Sequence, residues 1–327
     1  MGSTLTRLWE HIEAADKKRI ETQLRVPDVE TSTAIAYLND GNPLHVLSIS
    51  RPKGTTGQIA LPVIVDIHGG GHMYGDLLVN RNYCEYLASQ GFAVVNICYR
   101  LLPEVDLAGM IQDLWAAFEW LAQHASEELL DLQHCFITGD SAGAHLSMLA
   151  LCIGNKAELQ QIYGTTALPL SFKALAVSCP VTNLMPYYAP GVFGTHADAE
   201  MRQMFLGKQG ERAPWAHYMS INEVLPGVTL PPVLVIGSAG DNLKFQTQAL
   251  LELLKKNDSQ YETLIWDKKS DKVLGHVFNI GFWDQKESLE TNDAMLEFFL
   301  TYDAEYRPCV INPADPDAPS CHAIGVQ

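Results

Sequence analysis

The chain of 327 residues is long enough for one large α/β domain with an accessory segment, or for two ordinary domains. Its composition, 47% hydrophobic and 18% charged, excludes wholesale disorder. Acidic residues outnumber basic residues by 38 to 22, and the resulting formal net charge of −16 argues against a nucleic-acid partner, because phosphate binding needs clustered cations. The odd count of 7 cysteines shows no disulfide-scaffold pattern, so we expect a reducing, cytoplasmic location.

The sequence contains no stretch with the length and hydrophobicity of a membrane span. Residues 1–10 lack the apolar segment of a signal peptide. Residues 141–154 form the most apolar uncharged run, but a run of about 14 residues suits a buried helix better than a span. We therefore expect a soluble protein without a membrane span.

Strand-like and helix-like patterns alternate along most of the chain. An amphipathic helix is predicted first, over residues 5–24, and a hairpin of two strands follows it. The later strands are apolar on both faces and alternate with amphipathic helices, which is typical of a mostly parallel sheet covered by helices on both faces. The predicted strands cover residues 33–38, 45–50, 62–67, 92–99, 135–138, 174–181, 233–236 and 262–266, and the later helices cover residues 80–89, 107–123, 142–152, 243–256 and 286–302.

Residues 182–230 interrupt this alternation. This inserted segment is rich in proline, glycine, aromatic residues and methionine, and it is too long for a plain loop. We predict that it forms helical structure of its own above the carboxyl ends of the strands, where open α/β sheets bind ligands.

The sequence Gly-Asp-Ser-Ala-Gly at residues 139–143 lies between a predicted strand and a predicted helix. A serine at a sharp strand-to-helix turn needs neighbours with almost no side chain, and Gly139 and Gly143 meet that need. Such a turn lifts Oγ of Ser141 out of the sheet, at the positive end of the following helix. Alone the pattern is weak, because it occurs by chance in roughly one sequence of this length in ten.

The sequence His-Gly-Gly-Gly at residues 68–71 directly follows another predicted strand. Consecutive glycines allow the backbone to turn its N–H groups toward a bound oxygen. We predict an oxyanion hole formed by the N–H groups of Gly70, Gly71 and Ala142. The alternative is a flexible turn, which is disfavoured because the run ends a buried strand upstream of a serine turn, as in the α/β-hydrolase fold.

A serine nucleophile needs a histidine base, and the base needs a carboxylate to orient it. In this fold the order along the chain is serine, acid, histidine. Asp241 follows the strand predicted at residues 233–236, and His276 follows the strand predicted at residues 262–266. The sequence therefore predicts a catalytic triad of Ser141, Asp241 and His276.

Other titratable residues have plainer interpretations. His145 follows the serine by one helical turn and is expected to pack beneath the site. The rival acids Asp267 and Asp271 belong to a charged loop that is expected to be solvated. No group of histidine, cysteine and acidic residues has the spacing of a metal site, so no metal or cofactor is predicted. Packing or surface roles are expected for His196, His217 and His322.

Together these motifs resemble the hormone-sensitive-lipase-like family of α/β-hydrolase carboxylesterases. The similarity covers residues 63–300 and also includes Gly75-Asp76 and the run at residues 99–104. The resemblance implies an α/β-hydrolase fold with a mostly parallel eight-stranded sheet and a helical cap. It also implies a serine carboxylesterase that hydrolyses short- to medium-chain esters through an acyl-enzyme, without a metal or organic cofactor.

The resemblance also predicts the organisation of the chain. The predicted parts are an N-terminal cap helix region at residues 1–30, a core at residues 31–181 and 231–305, an inserted cap segment at residues 182–230, and a C-terminal tail at residues 306–327. The chain departs from the family pattern at Leu102, Thr138, Ala144 and Asn242. These departures remove no reacting group, but they weaken any inference about the substrate.

The identity of the ester is the least determined property. His72, Met73 and Tyr74 follow the oxyanion glycines and are candidate substrate contacts. Two other activities remain open: an N-acyl amidase or deacetylase with the same triad, and a non-catalytic small-molecule receptor, which the presence of His276 disfavours. The sequence does not determine whether the chain forms a homo-oligomer. Candidate cap residues are Tyr187, Tyr188, Phe193, Met204, Phe205 and Trp215.

Overall fold

A computed structural model describes residues 4–55, 57, 59–187, 194–267 and 273–303. Its strands are β1 (Val29–Ala36), β2 (Val46–Pro52), β3 (Leu61–Ile67), β4 (Ala93–Ile97), β5 (Leu130–Asp140), β6 (Leu175–Ser178), β7 (Val233–Ser238) and β8 (Tyr261–Trp266). They form one 8-stranded sheet in the order β1-β2-β4-β3-β5-β6-β7-β8.

The central strands are parallel and buried. Strand β3 is buried along its whole length and pairs in parallel with β4 on one side and β5 on the other. The parallel pairing continues from β5 through β6 and β7 to β8. Within the described residues, the antiparallel pairs are β1 with β2 and β2 with β4. The predicted leading hairpin and the predicted mostly parallel eight-stranded sheet are confirmed.

Helices cover both faces of this sheet. They are α1 (Thr4–Thr22), α2 (Arg81–Ser89), α3 (Leu107–His124), α4 (Ala142–Gly154), α5 (Ala157–Tyr163), α6 (Gly194–Leu206), α7 (Ile221–Val224), α8 (Lys244–Lys256), α9 (Phe278–Gly281) and α10 (Lys286–Thr301). Successive side chains of a strand point to opposite faces. Val63 and Val65 of β3 accordingly pack in a core with α3, α4 and α8, whereas Ile64 packs in a second core with α2 and α10.

The inserted segment contains α6, a 3₁₀ helix (Gly207–Arg212) and α7, in agreement with the predicted helical structure. Helix α5 was not predicted, because a helix of 7 residues with two buried side chains, Leu159 and Tyr163, is too short to show a clear period. Within the described residues, none of the helices combines the length and apolarity that crossing a membrane requires. The predicted tail at residues 306–327 lies outside the described residues.

Candidate active site

Ser141 lies in the turn between β5 and α4, with φ of 50° and ψ of −112°. A residue with a side chain rarely adopts a positive φ, so neighbouring bonds must hold it there. The N–H of Ser141 donates to the carbonyl of Ser178, and its carbonyl accepts from the N–H of Val181. A Cβ on Gly143 would overlap the carbonyl oxygen of Ile67, so only glycine lets α4 approach β3 this closely.

The serine, the histidine and the acid form one continuous hydrogen-bonded chain. Nε2 of His276 lies 2.9 Å from Oγ of Ser141, and Nδ1 lies 2.9 Å from Oδ1 of Asp241. Asp241 follows β7 and is 1% exposed, whereas the side chain of His276, in the loop before α9, is 26% exposed. The structure therefore brings together all three residues that were predicted as the triad.

The carboxyl group of Asp241 is held in its ionised form. Burial opposes ionisation, but the pKa of Asp241 is lowered overall, because the His276 ring, the backbone N–H of Leu243 and the Cys179 thiol all stabilise the carboxylate. The Leu243 N–H donates to Oδ1 over 2.8 Å. Since a carboxylate only accepts, Nδ1 of His276 must carry a hydrogen, and Nε2 of the neutral ring can then accept from Ser141.

Cys179, which sequence reasoning missed, lies directly beside the hydrogen-bonded pair of Asp241 and His276. Its Sγ accepts a hydrogen bond from the backbone N–H of Val277 over 3.3 Å. Cys179, Asp241 and His276 each have one atom that could bind a metal ion, and these three atoms lie within 4.8 Å of one another. Burial and then the charge of Asp241 raise the pKa of the Cys179 thiol well above its ordinary value. The group is therefore a neutral thiol that contacts the loop after His276.

The predicted oxyanion loop, residues 68–71, is fixed by its own hydrogen bonds. The carbonyl of Gly70 accepts from the N–H groups of Met73 and Tyr74 over 3.0 and 3.1 Å. Gly70 and Gly71 have φ values of 102° and 61° and line the same cavity as Ser141. Ala142 is the first residue of α4, so its N–H is one of those that a helix cannot satisfy internally.

Two buried aspartate side chains lie beneath this loop and share one amide donor. Nδ2 of Asn80 donates to Asp66 over 3.0 Å and to Asp140 over 2.8 Å. Asp140 also accepts from the N–H of Gly69 over 2.9 Å. Burial and then the charge of Asp140 raise the pKa of Asp66 to about 8, and burial also raises the pKa of Asp140. The motifs gave no signal of this cluster, because three separate elements supply it.

A cavity of about 310 Å³ opens at Ser141, and α1 forms part of its wall. A Cβ on Gly71 would overlap the indole of Trp9, so the helix packs directly on the oxyanion loop. The hydroxyl of Tyr74 donates to Asp16 over 2.6 Å, and Arg19 donates to the carbonyl of Gly281 over 2.9 Å. These bonds connect α1 to both sides of the cavity.

The structure separates the predicted substrate contacts into two groups. Tyr74 lines the cavity, as does Tyr187, which was a candidate cap residue. His72 and Met73 are not among the described residues that line it, because His72 is fully buried behind the loop and Met73 packs against the core. Among the other candidate cap residues, Phe205 and Trp215 are buried and Met204 is partly buried. Tyr188 and Phe193 lie outside the described residues.

The rival titratable residues that the structure describes are not part of the hydrogen-bonded chain of Asp241, His276 and Ser141. His145 is fully buried in α4, as expected, whereas His217 and Asp267 are exposed. Asp271, His322 and the side chain of His196 lie outside the described residues.

A family model for the alpha/beta hydrolase fold matches residues 64–273 of this chain. The chain belongs to the α/β-hydrolase fold family. Its structure is similar to that of esterase B from Lactobacillus Rhamnosis (HN001), with 36% sequence identity and a TM-score of 0.86 over 92% of this chain and 94% of that one. The predicted fold and the resemblance to the hormone-sensitive-lipase-like esterases are confirmed.

Among curated proteins, this α/β hydrolase is similar to esterases of Mycobacterium tuberculosis. It is 34% identical to esterase LipI over 113 residues, which are 31% of this chain and 35% of LipI. It is 32% identical to carboxylesterase NlhH over 147 residues, which are 40% of this chain and 46% of NlhH. The matched part thus spans less than half the length of these two relatives.

Proposed function

We propose that this α/β hydrolase is a serine carboxylesterase that hydrolyses short- to medium-chain esters through an acyl-enzyme. The observation that carries the proposal is the chain from Asp241 through His276 to Ser141, with both hydrogen bonds at 2.9 Å, at the wall of a cavity. The similarity to esterase B over nearly the whole of both chains supports the same activity.

In the first half-reaction, Nε2 of His276 accepts the proton of Ser141 while Oγ attacks the ester carbonyl. The N–H groups of Gly70, Gly71 and Ala142 stabilise the oxyanion of the tetrahedral intermediate. His276 then protonates the departing alcohol, and an ester bond to Ser141 remains. In the second half-reaction the same base activates water, which releases the carboxylic acid and restores the serine.

Asp241 supports both half-reactions without a change in its own charge. Its lowered pKa keeps the carboxylate ionised at neutral pH. The carboxylate holds the hydrogen on Nδ1 of His276 and stabilises the imidazolium that forms when the base takes the serine proton. The positive end of α4 lies at Ser141 and favours the developing negative charge.

The size of the cavity favours short acyl chains. A volume of about 310 Å³ lies at the lower end of the range for small-molecule pockets, about 300 to 1,000 Å³. A structure of Lactobacillus esterase B inhibited by a C4-C4 tributyrin phosphonate is also similar, with 36% identity and a TM-score of 0.85. Short-chain esters, with glycerol esters among them, are therefore the first substrates to test.

The predicted cap also belongs to this proposal. Residues 1–30 and 182–230 would cover a catalytic core formed by residues 31–181 and 231–305. The wall that α1 contributes to the cavity and the packing of Trp9 on Gly71 support this division. A cap of this kind restricts water and substrate to one route into the site.

The partner is a small-molecule ester, and we propose a cytoplasmic location. The cysteines within the described residues, Cys84, Cys98, Cys135, Cys152 and Cys179, are free thiols and buried, which fits a reducing compartment. The net charge of −16 supports the expectation that nucleic acid is not a partner.

The direct test combines labelling with kinetics. A serine-directed phosphonate should label Ser141 and abolish hydrolysis of p-nitrophenyl esters, whose series from acetate to laurate then measures the chain-length preference. Ser141→Ala should lower kcat by about 10⁴-fold or more. Labelling at another residue, or full activity of the variant, would contradict the proposal. Matched ester and amide substrates separate the esterase from an amidase, and ligand binding without turnover would indicate a receptor.

A further inference from the structure

Two fully buried histidines lie behind the oxyanion loop and take no part in the proposed triad. His72 directly follows Gly71. His145 lies in α4, where its backbone N–H donates to the carbonyl of Ser141. Nε2 of His72 lies 3.2 Å from Nδ1 of His145. The ring of His72 also packs edge-on against Tyr187 and Phe205.

The partners of these rings determine where their hydrogens lie. Nε2 of His145 lies 2.7 Å from the carbonyl oxygen of Met219, which can only accept, so this nitrogen carries a hydrogen. Burial and the neighbouring histidine lower the pKa of His72 well below its ordinary value, and burial lowers the pKa of His145 to about 4. Both rings are therefore neutral at pH 7, and each carries a single ring hydrogen.

The direction of the other hydrogen bonds follows from this single hydrogen on His145. Since Nε2 of His145 donates, its Nδ1 must accept, and Nε2 of His72 must be the donor between the rings. Nδ1 of His72 is then an acceptor, and the hydroxyl of Tyr187 lies 3.5 Å from it. The carbonyl of Gly71 also interacts with this ring, and it would take the hydrogen bond in the opposite tautomer. The hydrogen bonds run in one direction, from Tyr187 to His72, to His145 and to the Met219 carbonyl.

This chain joins three parts of the site. His72 continues the oxyanion loop, His145 lies in α4 directly after Ser141, and both Tyr187, which lines the cavity, and Met219 belong to the inserted segment. His72 has a φ of 64°, so the residue next to Gly71 holds a backbone conformation that is strained for any residue with a side chain. An anchored ring can hold that conformation, whereas a ring that merely fills space provides no directional bond.

We propose that His72 and His145 are positioning residues, whose hydrogen-bonded chain holds the N–H groups of Gly70 and Gly71 in register with Ser141. This inference rests on the proposed esterase function. The chain also couples the oxyanion loop to Tyr187 in the cavity wall and to Met219 in the inserted segment. His72 thus acts through the backbone of its neighbours and not through contact with the substrate.

A matched pair of variants tests the direction of the chain. Asn at residue 145 can place an acceptor where Nδ1 of the imidazole was, and Gln can place a donor where Nε2 was. His145→Asn therefore keeps the bond from His72, whereas His145→Gln keeps only the bond to Met219. We expect kcat for a p-nitrophenyl ester to be about tenfold or more lower in H145Q than in H145N, with similar KM and Tm in both variants. Equal kcat in the two variants, or kcat losses that simply follow Tm, would overturn the proposal.

A second measurement does not depend on how the variants fold or on ester turnover. Nitrogen-15 NMR of the imidazoles in the unaltered protein should show both rings as neutral tautomers with the hydrogen on Nε2 between about pH 6 and pH 8. A hydrogen on Nδ1 of either ring, or an imidazolium signal, would overturn the proposed chain. Failure of the esterase proposal would instead appear as an unlabelled Ser141 and no turnover, so the two failures are distinguishable.

Discussion

Ser141 keeps a positive φ because bonds from several segments hold it. The glycines beside it are visible in the sequence, and they predicted the turn correctly. Its partners Ser178 and Val181 were not predicted, because they come from the end of a neighbouring strand and form their bonds only when the sheet is assembled. A local motif therefore identifies the serine, whereas the bonds that hold its conformation depend on tertiary structure.

Cys179 provides a prediction about chemical reactivity at the site. Its thiol is fully buried, and burial together with the charge of Asp241 raises its pKa. Because the thiolate is the reactive form, we expect iodoacetamide at neutral pH to leave the native enzyme fully active. A serine-directed phosphonate, applied in parallel, should inactivate the same sample. Loss of activity in proportion to alkylation of Cys179 would show that the thiol is accessible and ionised.

Asp66 provides a prediction about stability and pH. Its pKa is about 8 in the folded protein and about 3.9 in an unfolded chain, so between these values the native state holds a proton that the unfolded state has released. Stability therefore falls as pH rises through this window. Asp66→Asn removes the titration, and we expect it to raise Tm at about pH 8 by roughly 2 °C or more, with a smaller effect near pH 5.

The control is Glu252→Gln, the same kind of change at an exposed position of α8. It should leave both the Tm and its dependence on pH unchanged. Thermal unfolding followed by circular dichroism over the same pH range gives both comparisons. A D66N profile that falls with pH as steeply as that of the unaltered protein would refute the assignment of this proton to Asp66.

Helix α1 shows what a sequence pattern can and cannot tell about an element. The apolar spacing predicted a helix at residues 5–24, and the structure has it at Thr4–Thr22. The pattern does not tell which surface the helix covers, because that depends on the contact of Trp9 with Gly71, far along the chain. The continuous apolar strands had the opposite property, because their burial and their mostly parallel arrangement followed from the alternation with helices.

Removal of the Trp9 side chain tests the role of α1 at the cavity. The indole packs against Gly71 and forms part of the wall, so Trp9→Ala enlarges the cavity and weakens substrate contact. We expect KM for short p-nitrophenyl esters to rise about tenfold, which corresponds to about 1.4 kcal/mol of lost binding. Tyr74→Phe, which removes only the bond to Asp16, should have a smaller effect.

Glu10→Ala, at an exposed position of the same helix, is the matched control and should leave KM unchanged. Steady-state kinetics over the ester series measures all three variants. A KM that is unaffected by W9A would mean that α1 does not contact the bound ester. An equal rise in the Glu10 variant would indicate a general loss of helix structure.

The polar contacts between elements were the part of the site that sequence reasoning missed. The convergence of Ser141, Asp241 and His276 could be predicted, because each of them follows an identifiable element in an order that the fold prescribes. The amide of Asn80 between Asp66 and Asp140 and the bond from His145 to Met219 could not be predicted. Such contacts depend on rotamers and on distances between segments that are remote in sequence.

The charge of the whole molecule affects which esters reach the site. A net charge of −16 produces a negative potential that lowers the local concentration of anionic molecules. We expect kcat/KM for an ester with a free carboxylate to rise about two- to threefold between about 20 mM and 300 mM salt, as screening shortens the range of the repulsion. A neutral ester of the same length should show no such rise. An equal response of the two esters would assign the effect to salt acting on the enzyme itself.

The buried thiols have a consequence for handling the protein. The five cysteines in the part of the chain that the structure describes are packed in the interior as free thiols, where dissolved oxygen and peroxide do not reach them. A sample warmed past its melting point in aerated buffer would crosslink at random among these sulfurs and would not recover on cooling. A reductant in the buffer removes this route of inactivation, so the heat tolerance measured for this enzyme depends on the redox state of the sample as well as on its sequence.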